Sequence, residues 1–168
     1  MQHRAIRRYN YHKWANERTF DHLKSLPDEI YDHQITNVFP SIRETIAHIY
    51  QVDGMWLSVM SGDTFDQTKS VIGELLTKMG DKSLFHMQDL YNELTGEFDS
   101  FLKSRENLDA MIDIEHPQYG KRNLAISDLV EHVVNHGTYH RGNITSMIRQ
   151  QSHSGVPTDY IFYLYENL

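Results

Sequence analysis

Between Ser127 and Gln151 the chain runs without a proline, and its apolar residues, Leu129, Val133, Ile144 and Met147, fall on one face of a helix. That stretch is far too long for a strand, and the stripe it presents must be covered by other elements. Three further segments carry the same period. Ile6, Tyr9, Trp14, Phe20 and Leu23 predict a helix over 3–25 that ends at Leu26-Pro27. Pro40-Ser41-Ile42-Arg43-Glu44 has the serine-to-glutamate spacing of a capping box. The helix it opens should run over 42–60, with Ile42, Ile46, Ile49, Trp56 and Met60 on its stripe and Val52 and Met55 beside it. A third long helix is expected over 83–104, with Phe85, Leu90, Leu94, Phe98, Phe101 and Leu102 inward.

The connections are less regular. Residues 63–82 are mixed, with a short helix expected over 70–79. Residues 105–126, with Ile112, Ile114, Pro117, Tyr119-Gly120 and Leu124, suggest an extended or hairpin segment too short to stand alone. After Pro157, the aromatic run Tyr160 to Tyr165 reads as a short helix packed back on the body. Four long amphipathic helices with long connections predict an all-α four-helix bundle, and 168 residues fit one domain over 1–168.

Composition narrows the function. A net charge of −7 disfavours non-specific binding to nucleic acid or an anionic membrane, since each needs a basic face. With no cysteine there is no disulfide, thiolate metal site or thiol nucleophile, so soft metal chemistry falls to histidine. The charged start, Gln2-His3-Arg4-Ala5-Ile6-Arg7-Arg8, lacks a signal peptide's apolar core, and no window approaches a membrane span, so a cytoplasmic location is expected.

The 11 histidines are many for this length. At about 100° per residue, with His132 at zero, His136 lies near about 40° and His140 near about 80°, inside the apolar stripe. Histidines four apart stand over one another and can share a metal, although such pairs also arise by chance. A third ligand must come from another helix, and His48 on the core edge of the second is the candidate. A lone histidine there is more often a hydrogen-bonded core residue, but the nearby pair favours a ligand. Three histidines with an open position are the pattern of a catalytic site, and they suit zinc, nickel, copper or iron alike. Ordinary imidazoles, with pKa near about 6.5, would begin to lose such an ion below about pH 6.

His3, His12, His22, His33, His86, His116 and His153 are scattered and are expected at the surface or in loops. Position 137, where a zinc peptidase would carry its glutamate base, is glycine. Glu131 points away from His140 and cannot substitute. Gly137 and Gly142 inside the helix suggest close packing rather than room for a ligand.

The run His132-Val-Val-Asn-His136-Gly-Thr-Tyr-His140-Arg-Gly-Asn-Ile144 resembles the last-helix signature of the DinB/YfiT-like family of metalloenzymes. Ser41-Ile42 through His48 and Trp56, Tyr9-Asn10 with Trp14-Ala15-Asn16, and Pro157 to Ile161 extend the likeness over nearly the whole chain. The resemblance implies a four-helix bundle, often dimeric, with one divalent metal on His48, His136 and His140. It leaves His132 outside the ligand set and marks Asn143 as a departure, since relatives often carry glutamine there. Better-understood relatives are transferases or isomerases that use bacillithiol, mycothiol or glutathione.

The leading expectation is therefore a metal-dependent transferase joining a low-molecular-weight thiol to an electrophilic small molecule. Its cofactors would be one divalent ion and a thiol cosubstrate, and its working form a homodimer. Metal-assisted hydrolysis, and a non-catalytic metal-binding protein linked to stress or DNA damage, are the alternatives.

Overall fold

The computed structural model describes residues 2–167; Met1 and Leu168, the ends of the expected domain, lie outside the described residues. The fold is all-α with one small hairpin. Its elements are α1 (Arg4–Lys24), α2 (Glu29–Asp32), α3 (Ile42–Ser61), α4 (Phe65–Met79), α5 (Leu84–Ser104), β1 (Met111–His116), β2 (Gly120–Ala125), α6 (Ile126–Gln150) and α7 (Tyr160–Asn167).

The bundle consists of α1, α3, α5 and α6. Both α1 and α3 pack on α5 and α6, so α1 and α3 occupy diagonal corners. From the expected stripes, Tyr9, Phe20, Leu23, Ile42, Ile46, Ile49, Met60, Leu90, Leu94 and Phe98 are buried in one core with Leu129, Val133, Ile144 and Met147 of α6. Phe85 departs from expectation at 69% exposed. Its neighbours Leu84 and Met87 turn inward instead at the start of α5, while Leu90, Leu94, Phe98, Phe101 and Leu102 are buried as the sequence reading has them.

Helix ends follow local chemistry. Ser41 Oγ accepts from the Glu44 amide at 3.3 Å, but the reciprocal half of the expected capping box is not made. The Glu44 carboxylate instead accepts from Lys82 Nζ, at 3.0 and 2.8 Å. A full capping box stands where none was expected. Thr64 Oγ1 accepts from the Gln67 amide, and the Gln67 side chain accepts from the Thr64 amide. It starts α4 five residues ahead of the expected helix, and α4 then packs across α3 and α5. Gly62 ends α3 in the left-handed region, at φ 97°, where a side chain would be strained.

The segment before α6 is an antiparallel hairpin pairing Ile112 with Leu124 and Ile114 with Arg122. Ile112, Ile114 and Leu124 lean on the bundle, which supplies the burial that two strands lack. α7 docks through Tyr163, whose ring lies 5.8 Å from Trp14 and 5.9 Å from Tyr11. No described helix is long and apolar enough to cross a membrane.

Candidate metal centre

α3 and α6 pack side by side, and their facing stripes carry His48 on one and His136 and His140 on the other. The structure brings these three residues together: one ring nitrogen from each lies within 4.8 Å of the others, a group that could hold a metal ion. Their ring centroids stand 4.5, 4.8 and 5.0 Å apart. His140 is buried, at 5% exposed, while His48 and His136 keep part of their surface in solvent.

His48 Nε2 and His136 Nε2 face one another at 3.1 Å. Two bonds of about 2.1 Å from one ion would reach atoms at that separation with an angle of roughly 95°, a slightly compressed tetrahedral corner. An ion at that bond length spans at most about 4.2 Å between two ligands, so small ring rotations complete the fit for the widest pair. The donor set therefore suits a borderline divalent ion.

Electrostatics prepare the same nitrogens. Burial, reinforced by the neighbouring imidazoles His140 and His48, holds His136 down to about 3. Burial and His48 hold His140 down to about 4. His48 is lowered by burial, partly opposed by Asp53. At neutral pH all three rings keep free lone pairs, the form a metal requires. At His136 and His140 protons would therefore compete with an ion at lower pH than at ordinary imidazoles.

Asn143 sits one turn beyond His140, its amide 3.5 Å from His140 Nδ1. With the amide turned over, Oδ1 accepts from Nδ1–H and leaves Nε2 free for an ion. The shorter residue at this departure from the family pattern thus still reaches the His140 ring. His136 Nδ1 is buried without a partner. His132 stands apart: it is exposed, its ring packs edge-on against Trp56 at 4.9 Å, and it lies 6.3 Å from the His136 ring.

One histidine was misjudged from sequence. His12, expected at the surface, is 2% exposed in the bundle interior. Arg141 Nη1 reaches its Nδ1 at 3.2 Å, and a guanidinium can only donate, so Nδ1 accepts. Nε2–H then donates to Asp53 Oδ2 at 2.8 Å. Arg141 also donates to Asn16 Oδ1 at 2.8 Å and to Thr138 Oγ1 at 3.0 Å. This network crosses the bundle diagonal from α1 to α3 through a notch in α6 at Gly137, where a Cβ would stand 2.2 Å from His12 Cε1. Gly137 is thus a packing glycine, as expected. Nothing lies within 4 Å of a Cβ at Gly142, so packing does not explain that one. The signal for His12 was available: Ala5, Tyr9, His12, Asn16, Thr19 and Leu23 alternate four and three apart, the spacing of a buried seam.

Glu131 points away from the site and accepts a bidentate pair from Arg8, both bonds 2.9 Å. A cleft of about 580 Å³, lined by Arg8, Tyr11, Thr138, Arg149 and Tyr160 among others, contains none of the three histidines.

Comparison with known proteins agrees with this fold. The model of the DinB family matches residues 1–167. Protein DinB of Bacillus subtilis (strain 168) is 41% identical over 161 residues, which are 96% of this chain and 94% of that protein. A crystal structure of a DinB-like protein from Bacillus cereus ATCC 10987 superposes with a TM-score of 0.64 at 20% identity, covering 91% of this chain and 94% of that one. The sibling lethal factor precursor DfsB superposes at 0.60 with 14% identity, covering 91% of this chain and 100% of its own. At such identities the two structures speak for the fold alone.

Proposed function

Because the chain belongs to the DinB family, we propose that it is a divalent-metal-dependent transferase that joins a low-molecular-weight thiol of the bacillithiol kind to an electrophilic small molecule. The observation that carries this reading is the convergence of three neutral imidazoles with no carboxylate or thiol in the group. A divalent ion held by His48, His136 and His140 would lower the pKa of a thiol bound to it and so supply a nucleophile near neutrality.

The residues' part is to hold and orient. His136 and His140 are fixed on one helix turn, and His48 reaches them from α3. The His12–Asp53–Arg141 network joins the helices that carry the ligands. Gly137 stands where a hydrolytic zinc site would place its glutamate, which favours a reaction whose nucleophile arrives with the cosubstrate. The metal, zinc, nickel or iron, is set by availability as much as by these donors. The same reading takes a small molecule rather than nucleic acid or membrane as partner, in a cytoplasmic homodimer.

The test is turnover by metal-loaded protein given bacillithiol and an epoxide or haloaromatic electrophile. Conjugate formation that requires both thiol and metal supports the proposal. Consumption of the electrophile without thiol makes the protein a metal-assisted hydrolase. Metal binding with no turnover on any cellular thiol leaves a non-catalytic metal protein.

A further inference from the structure

The three imidazoles are framed by aromatic rings rather than by charge. Phe39 belongs to the loop between α2 and α3, which is closed by a hydrogen bond from the Ile35 amide to the Pro40 carbonyl at 2.8 Å. Its ring lies 4.5 Å from His48 and 5.6 Å from His140. From α6, Tyr139 sets its ring 4.9 Å from His140 in an edge-on arrangement while remaining 60% exposed. Phe39 and Tyr139 thus both flank the His140 ring, one from the α2–α3 loop and one from α6. Val38, next to Phe39, adds an exposed apolar side chain.

Charge is scarce at the same place. The charged or chargeable groups whose fields shift the three imidazoles are other histidines and Asp53. Asp53 is itself buried against His12. The nearby acids and bases on these elements are engaged elsewhere: Arg43 with Asp32, Glu44 with Lys82, and Glu131 with Arg8. A ligand there gains apolar contact and ring stacking but no ion pair.

We propose that the mouth of the histidine site selects molecules bearing an aromatic ring, with Phe39 and Tyr139 as the residues that recognise it. The inference rests on the proposed function in taking the histidines as a metal site open to thiols, and it adds the chemical class of what docks beside them. Edge-to-face and stacked ring contacts favour an aromatic group over an aliphatic one of similar size. A Tyr139 ring kept largely in water contributes little to the core, so folding alone does not account for its placement.

Cobalt(II)-loaded protein titrated with ethanethiol and with 2-phenylethanethiol tests this. The two thiols have similar sulfur basicity, and each releases its proton to buffer as sulfur binds, which the sulfur-to-cobalt absorption band reports. Wild-type protein should bind the phenyl thiol about tenfold more tightly, the size of one good aromatic contact together with its apolar burial. Tyr139→Ala and Phe39→Ala should each bring the two affinities within about threefold, the ratio being read within each variant so that a change common to both thiols cancels. Tyr139 is exposed enough that its variant folds even if Phe39→Ala does not. A chain that takes up no cobalt overturns the metal reading and this inference with it. A loaded chain that binds both thiols alike, or that keeps its preference in the Tyr139 variant, overturns this inference alone.

Discussion

Replacing Gly137 by alanine sets two physical effects against each other. Helix propensity favours the substitution by about 1 kcal/mol at an interior position. The structure opposes it, because the new Cβ would stand 2.2 Å from His12 Cε1, 2.7 Å from His12 Nδ1 and 2.9 Å from an Arg141 terminal nitrogen. Ordinary contact needs a retreat of more than 1 Å by the imidazole. The ring cannot retreat freely, because Asp53 holds one nitrogen at 2.8 Å and Arg141 approaches the other at 3.2 Å. Moving it breaks a buried hydrogen bond to a carboxylate, worth about 1.5–3 kcal/mol, and leaves that carboxylate short of a donor. Asp53 Oδ1 already lacks a partner, which removes the easiest compensation. The net expectation is a loss of about 2–4 kcal/mol after the helix-propensity gain is subtracted.

Urea unfolding followed by far-ultraviolet circular dichroism measures it, with an unchanged m-value as the sign that only stability moved. In a His12→Ala background the two closest contacts are gone and the Arg141 terminal nitrogen at 2.9 Å remains, so Gly137→Ala should there cost about 1 kcal/mol or less, a coupling of about 2 kcal/mol. Gly142→Ala, with nothing within 4 Å of its Cβ, is the control and should gain up to about 1 kcal/mol. A Gly137→Ala protein as stable as the parent would refute the packing argument, and equal effects with and without the His12 ring would refute its attribution to that ring.

Other outcomes follow from the site. His136→Ala should abolish stoichiometric metal uptake, measured by elemental analysis, yet leave a folded helical protein, because Leu129, Val133, Ile144 and Met147 retain their burial; a variant unfolded without metal would make the site structural. His132→Ala should keep both stoichiometry and affinity within about threefold, since its ring packs on Trp56 away from the other three nitrogens. The metal-free protein should lose stability as pH falls from about 6.5, the unfolded histidine value, toward about 4 and below. The sign follows from His136 and His140 being held down to about 3 and about 4: over that range the unfolded chain binds protons that the folded chain refuses. Urea midpoints across pH check this, and a midpoint independent of pH between 6.5 and 4 would contradict the depressed values.

The difference between what was legible and what was not lies in how each residue meets its neighbours. Helix period and capping residues are local, so the four long helices stand within a residue or two of their expected bounds. The histidine pair on α6 is local as well, because four residues along one helix places two rings together whatever the rest of the chain does. His48 required knowing which helix lies against α6, and the family resemblance supplied that where spacing could only nominate it. His12 needed more. Its apolar neighbours Tyr9 and Leu23 marked the seam, but a histidine on a seam is costly unless a donor and an acceptor meet it. Those partners are Arg141, 129 residues away, and Asp53, 41 residues away. Only the glycine at 137, read as a place where something packs closely, hinted at the visitor. A buried polar group is specified by the chain as a whole, whereas an apolar stripe is specified one turn at a time. A helix seam that carries both histidine and asparagine, as α1 does at His12 and Asn16, therefore calls for a complementary charge on a facing helix, the part that Arg141 and Asp53 fill here.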